Sequence, residues 1–294
     1  MTELPANYNA RVINPTTRMD HGLYAFSAIK DRPKLVWPGG KKVAIAVVIS
    51  VEAGDLVTDP MGLVPFTYRD YGPRVGLFRL MGILDSLGIK ATVPISDEVL
   101  KRSPAVLENI LKRGWEVVGH GAKVNVGLSS TMSEADEAAY IGASHAALKA
   151  ATGKPPRGWL GPGASESART TALLAGAGFD YTLDWGNDEQ PFEFTVPAGK
   201  LASLPCSPDT SDAAVIQAQS HTPWEFETAI DDHLEGLLAS NWGSVMVLNL
   251  QANVSGQPFR AKYIRAFLSK AALRKDVWFA TGSEVIDAFR SAAG

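Results

Sequence analysis

The clearest pattern in the chain is an unbroken apolar run, Val43 to Val51, rich in Val and Ile and interrupted only by Ser50. Such a run predicts a strand buried on both faces, as in a parallel sheet. Further runs follow at Ile89 to Ile95, Trp115 to His120, Arg157 to Gly161, Phe179 to Asp184, Leu201 to Pro205, Gly243 to Leu250 and Val277 to Ala280. Helical periodicity fills the intervals. It begins near Arg74 and stops at Gly88, then covers Glu98 to Arg113 and an Ala-rich stretch ending at Gly153. Ser167 to Ala177, Pro223 to Leu238, Pro258 to Leu273 and Ser283 to Ala293 complete the set. Leu56 to Tyr71 and 206–221 read as loops. Strands alternating with helices imply parallel β/α layering, and the expected fold is a distorted (β/α) barrel of about seven strands.

Residues 1–40 break this rhythm. Pro5, Pro15, Pro33 and Pro38-Gly39-Gly40 punctuate an aperiodic stretch. The expected organisation is an irregular arm over 1–40 and one barrel domain over 41–294. The arm either drapes over the domain or reaches a partner subunit, which leaves a homo-oligomer open.

Composition narrows the function classes. The net charge of −3 offers no basic patch for nucleic acid and no polybasic run for a membrane surface. No stretch reaches the roughly 18 apolar residues of a membrane span, and no signal-like segment opens the chain. A cytoplasmic protein acting on a small-molecule substrate is the expectation. One cysteine, Cys206, excludes an internal disulfide and a multi-cysteine zinc site.

Candidate chemistry lies where the strands end, because β/α folds gather working groups at strand carboxyl ends. The first run stops at Glu52 and Asp55. The third stops at His120, set between Gly119 and Gly121 so that backbone can approach the imidazole. Asp184, Trp185 and Asp188 follow the fifth, and Asn249 and Gln251 close the Gly243 run. The glycine-dense segment from Gly158 to Ser167 is neither a Walker loop nor a nucleophile elbow.

These blocks, in this order, resemble the polysaccharide deacetylase superfamily, and within it the metal-independent branch of allantoinase-like and cyclic-imide-hydrolase-like proteins. The resemblance rests on Arg32-Pro33, Trp37-Pro38-Gly39-Gly40, Val48 to Glu52, Tyr71 to Gly76, Gly114-Trp115-Glu116 with Gly119-His120-Gly121, Gly158 to Pro162, Asp184-Trp185 with Asn187-Asp188, and Gly256 to Arg260. It implies a site at the strand carboxyl ends. Metal-dependent members carry an Asp-Asp pair and a His-x-x-x-His motif. Here Ala53 replaces the second acid, and Val124, beside Asn125, replaces the second histidine. The motif arginine is lost around Leu160, and Gln251 stands where a late histidine is expected.

The resemblance therefore implies no metal and no cofactor. It implies hydrolysis of an amide, imide or ureide C–N bond in a small substrate, cyclic or open-chain, with Glu52 as base and His120 as its acid/base or electrostatic partner. Asp55, Asn125, Trp159, Asp184, Trp185, Asp188, Gln251 and Arg260 are the expected substrate-binding residues. Two other readings stay open: a reduced barrel that binds a small molecule or sugar without turnover, and a lyase or isomerase using the same pair.

Overall fold

Alternating side chains along the first strand set the architecture. In β1 (Val43–Ser50) every residue is buried. Val43, Ile45, Val47 and Ile49 pack outward with the helical layer, while Ala44, Ala46 and Val48 face a second, interior core. A strand alternates its faces with period two, so Ser50 and then Glu52 continue the interior row to the mouth. The computed structural model describes residues 21–53 and 63–293.

The remaining strands are β2 (Ala91–Ile95), β3 (Glu116–Gly119), β4 (Gly158–Trp159), β5 (Tyr181–Thr182), β6 (Phe192–Glu193), β7 (Ala202–Ser203), β8 (Ser244–Gln251) and β9 (Val277–Phe279). They form one sheet ordered β6-β7-β5-β4-β3-β2-β1-β8, with β9 pairing the first half of β1. All pairings are parallel except β6–β7. The seven parallel strands of the main path make the expected distorted barrel; β6 adds an antiparallel edge that no apolar run announces.

Loops stitch the open side shut. Val245 N–H donates to the Glu189 carbonyl (2.8 Å), Thr210 Oγ1–H to the Val247 carbonyl (2.7 Å), and Ser211 bridges to Asn249.

The helices are α1 (Leu63–Tyr71), α2 (Leu77–Leu87), α3 (Asp97–Arg102), α4 (Pro104–Lys112), α5 (Glu134–Thr152), α6 (Thr170–Ala177), α7 (Pro223–Ser240), α8 (Pro258–Ala272) and α9 (Gly282–Ala293). Two differences from the expected pattern have local causes. The single helix expected over Glu98 to Arg113 is split at Ser103, because Pro104 restricts the residue before it. The loop expected to Tyr71 contains α1, which continues through a π-helical segment, Gly72–Gly76, into α2. The polar loop over 206–221 likewise holds a π-helical segment, Ala213–Ala218. No helix among the described residues is long and apolar enough to cross a membrane.

The described part of the arm packs on the domain. Trp37 is buried and its indole N–H donates to the Ser244 carbonyl (2.9 Å). Leu35 N–H reaches the Trp242 carbonyl (3.0 Å).

Candidate active site

Interior-facing residues at the ends of β1, β3 and β8 converge at the mouth. His120 Nε2 lies 3.1 Å from Glu52 Oε1, and Gln251 Nε2–H donates to the same oxygen at 3.2 Å. His120 Nδ1 lies 2.5 Å from the Leu160 carbonyl. A carbonyl can only accept, so Nδ1 carries a proton and donates it there. One further proton must then lie between Nε2 and Glu52 Oε1. Burial disfavours the imidazolium, but the hydrogen bond and charge of Glu52, the Leu160 carbonyl and the Asp184 charge outweigh it, and the net shift of His120 is upward.

The flanking glycines are required by packing. A Cβ on Gly119 would stand 2.6 Å from the Trp159 ring. Gly121 has φ +65°, and a Cβ there would meet the Tyr140 hydroxyl at 2.2 Å. That hydroxyl accepts from Ala122 N–H (2.9 Å) and donates to the Val126 carbonyl (2.8 Å), which fixes the turn after His120.

Glu52 and His120 open onto a cavity of about 380 Å³ whose wall includes Asp184, Cys206, Asn249 and Gln251. Asn249 Oδ1 is buried and has no partner among the described residues. Burial, then the Asp184 charge, push the Cys206 thiol up to about 12, so it is no nucleophile near neutral pH. Asp184 Oδ1 accepts Gly161 N–H (2.7 Å), and Oδ2 lies 3.1 Å from Thr182 Oγ1. Burial holds Asp184 up at about 6 against the hydrogen bonds it receives.

Gln251 is itself anchored from behind. Its backbone N–H donates to both oxygens of the fully buried Asp212 (2.9 and 3.0 Å), which also accepts Ser255 N–H (3.1 Å). Burial pushes Asp212 up to about 7. Apolar periodicity gives no sign of Asp212, because it sits in the polar segment after β7.

Several expected contacts fall elsewhere. Asp188 does not line this cavity; it clamps Arg32 through two hydrogen bonds (2.8 and 2.7 Å) and so pins the arm. Arg260 donates to the Tyr68 hydroxyl (2.8 Å), tying α8 to α1. Trp159 is fully buried against Phe179, with ring centroids 5.4 Å apart. Trp185 packs edge-on to Phe194 and donates its indole N–H to Glu166 Oε2 (2.9 Å). Asn125 is exposed in the turn after β3, while Val124 lines a smaller pocket that also touches Glu52 and Gln251. Asp55 lies outside the described residues.

Among the described residues the donor set does not suit a divalent metal. Val124 N–H reaches the Ala53 carbonyl (3.4 Å), so the two replaced ligand positions are neighbours in space, and neither side chain offers a donor atom. Both nitrogens of His120 are already committed. No group of three His, Cys, Asp or Glu side chains with metal-holding geometry occurs among the described residues, and a zinc site needs three or four such ligands.

Known proteins share this fold. The polysaccharide deacetylase profile matches residues 60–182. A polysaccharide deacetylase candidate from Mycobacterium smegmatis is 27% identical, with a TM-score of 0.79 over 88% of this chain and 94% of its own. A second candidate, from Pseudomonas aeruginosa PAO1, is 22% identical, with a TM-score of 0.81 over 91% of this chain and 98% of its own. The structure of Puue allantoinase is 21% identical, with a TM-score of 0.80 over 91% of this chain and 98% of its own. No curated protein sequence matches. Profile and fold thus liken the chain to the polysaccharide deacetylase superfamily, with a polysaccharide deacetylase segment over residues 60–182.

Proposed function

We propose that the protein hydrolyses an amide, imide or ureide C–N bond in a small, cyclic substrate without a metal ion. The observation that carries this reading is the buried Glu52–His120 pair opening onto a closed-in cavity. Glu52 Oε1 is committed to His120 and Gln251, so the proton-accepting role falls to Oε2, which takes a proton from water as the water oxygen attacks the carbonyl carbon. His120 acts by charge and position. Both its nitrogens are engaged, so it steadies Glu52 as a carboxylate instead of shuttling protons. Asn249 and Gln251 supply neutral polar groups on the wall for the substrate's own N–H and C=O. The likeness to Puue allantoinase and a cavity at the small end of ligand pockets both favour a ureide or cyclic imide over a polymer.

Purified protein incubated with ureides, cyclic imides and N-acetyl sugars, with ring opening or acetate release followed, tests this. Turnover of a ureide or imide that persists in chelator is expected. Turnover of N-acetyl sugars alone, or activity abolished by chelation, would overturn it. A second reading, a barrel that binds such a molecule without turning it over, is favoured by one observation: the amide of Gln251 carries no titratable proton where a histidine is expected. Saturable binding with no product across the panel would establish that reading instead.

A further inference from the structure

Amide cleavage needs a proton for the departing nitrogen, and the residues around Glu52 do not supply it. His120 has both nitrogens bound. Gln251 is an amide, and the Cys206 thiol is held up at about 12. Among the described residues, Asp184 is the remaining titratable side chain on the cavity wall, and it does not stand alone. Behind it lies Glu166, from the glycine-dense segment between β4 and α6, and the two carboxyl groups approach the same hydroxyl. Thr182 Oγ1 sits between them, 3.1 Å from Asp184 Oδ2 and 3.4 Å from Glu166 Oε1. One hydroxyl can donate to only one of the two acids at a time, and a proton held on the pair relieves the repulsion of two buried carboxylates side by side. Gly161 N–H on Asp184 Oδ1 and Trp185 Nε1–H on Glu166 Oε2 hold the outer oxygens in place.

We propose that Glu166 and Asp184 form one acid that keeps a single proton at the cavity wall, with Asp184 delivering it to the departing nitrogen and Glu166 as the positioning residue. The inference rests on the hydrolase reading above. In the step, Glu52 takes one proton from water and the resulting hydroxide oxygen bonds to the carbonyl carbon. The C–N bond breaks with its electron pair going to nitrogen, and nitrogen takes the proton of the pair. The ring opens to one product that carries a carboxylic acid and the freed N–H group, which is an amide nitrogen from an imide and a ureido nitrogen from a ureide. Solvent then carries the Glu52 proton back to the Glu166–Asp184 pair.

The titratable groups facing Asp184 are Glu166, His120 and Cys206. Burial, then the charge and hydrogen bond of Asp184, keep Glu166 well above the ordinary carboxylate range. The pair thus retains one proton where an isolated surface carboxyl has lost it.

Infrared titration of the intact protein reads this directly through the C=O stretch of a protonated carboxyl. Asp212 contributes one such band above the ordinary carboxylate range, which every variant should keep; the wild type should show a further band that both Glu166→Gln and Asp184→Asn lose. In turnover of a ureide or imide, Glu166→Gln should move the alkaline limb of kcat/KM to lower pH by about one unit or more, leaving the acid limb in place. The further band unmoved in both variants would overturn the shared proton. Its loss with the alkaline limb unmoved would overturn the acid role while the hydrolase reading stands. If no panel compound is hydrolysed, the acid role falls with the hydrolase reading and the infrared arm still decides the shared proton. Should Glu166→Gln fail to fold, Asp184→Asn decides by the same band.

Discussion

The third strand carries a half-buried acid at its floor and leads into a buried imidazole at its mouth, and the two ends differ in kind. Glu116, Val118 and His120 share the interior face of β3. At the floor, Glu116 is met by neutral donors on both oxygens: the Tyr181 hydroxyl (2.9 Å) and Ser283 hydroxyl on Oε1, and the Thr92 hydroxyl and Ser283 N–H (3.0 Å each) on Oε2. It joins β2, β3, β5 and the start of α9, and its donors come from rigid elements. At the mouth, His120 meets another titratable group and a cavity. Burial alone therefore does not mark a working residue; what matters is whether its partners can exchange a proton and whether substrate can reach it.

Glu52→Gln is expected to break the mouth most severely, lowering turnover by about 10²–10⁴-fold, the scale of one positioned acid/base group. Its melting temperature should stay near that of the wild type. His120→Asn should resemble it, and the double variant should lose far less than the product of the two, measured as kcat/KM on the same substrate. Near-normal turnover in Glu52→Gln would end this mechanism.

Asp212 sharpens the comparison, because it is buried at the mouth yet holds backbone. Its value near 7 lies above the unfolded value near 4. The folded protein binds the proton more tightly, so this group's contribution is full below about pH 4, is lost as pH rises through about 7, and then stays flat. The stability difference between the wild type and Asp212→Asn should shrink over that window by up to about 4 kcal/mol. Denaturant melts at several pH values measure it, and a gap that widens with pH would contradict the assignment.

At the floor, Glu116→Gln places an amide N–H₂ against donors and should cost about 1–3 kcal/mol of stability. Activity per folded molecule should be unchanged, which parallel melts and rate assays would show. The smallest expected effect is that of zinc. A ligand that binds only the folded state raises its stability by mass action, and with Ala53 and Val124 at the ligand positions, millimolar zinc should leave the melting temperature unmoved. A rise reversed by chelator would refute that.

The sequence makes the long strands and the principal pair legible, and the reason is physical. β1 and β8 are eight-residue apolar runs, and their ends expose Glu52 and Gln251 by period-two counting. His120 is legible through its glycines. β4, β5 and β7 keep only two ladder residues each, too few for a pattern, so side-chain direction there is set by tertiary packing. That is why Trp159 points into the core and Asp188 toward Arg32. Glu166 carries no local signal, since its significance comes from Asp184, eighteen positions along and across the β4–β5 pair.

The stitched side of the barrel has a consequence for substrate range. A ladder of parallel strands resists separation cooperatively, whereas Glu189, Thr210 and Ser211 hold β8 through individual contacts from loops. Those loops also carry Gly186, Ser207 and Ala213, which line the Glu52–His120 cavity. Insertions or deletions in 186–189 or 207–213 would thus change the room available to a substrate without disturbing the registry of β1, β2 and β3. The chemistry is built into the continuous part of the wall, and the choice of molecule into its seam.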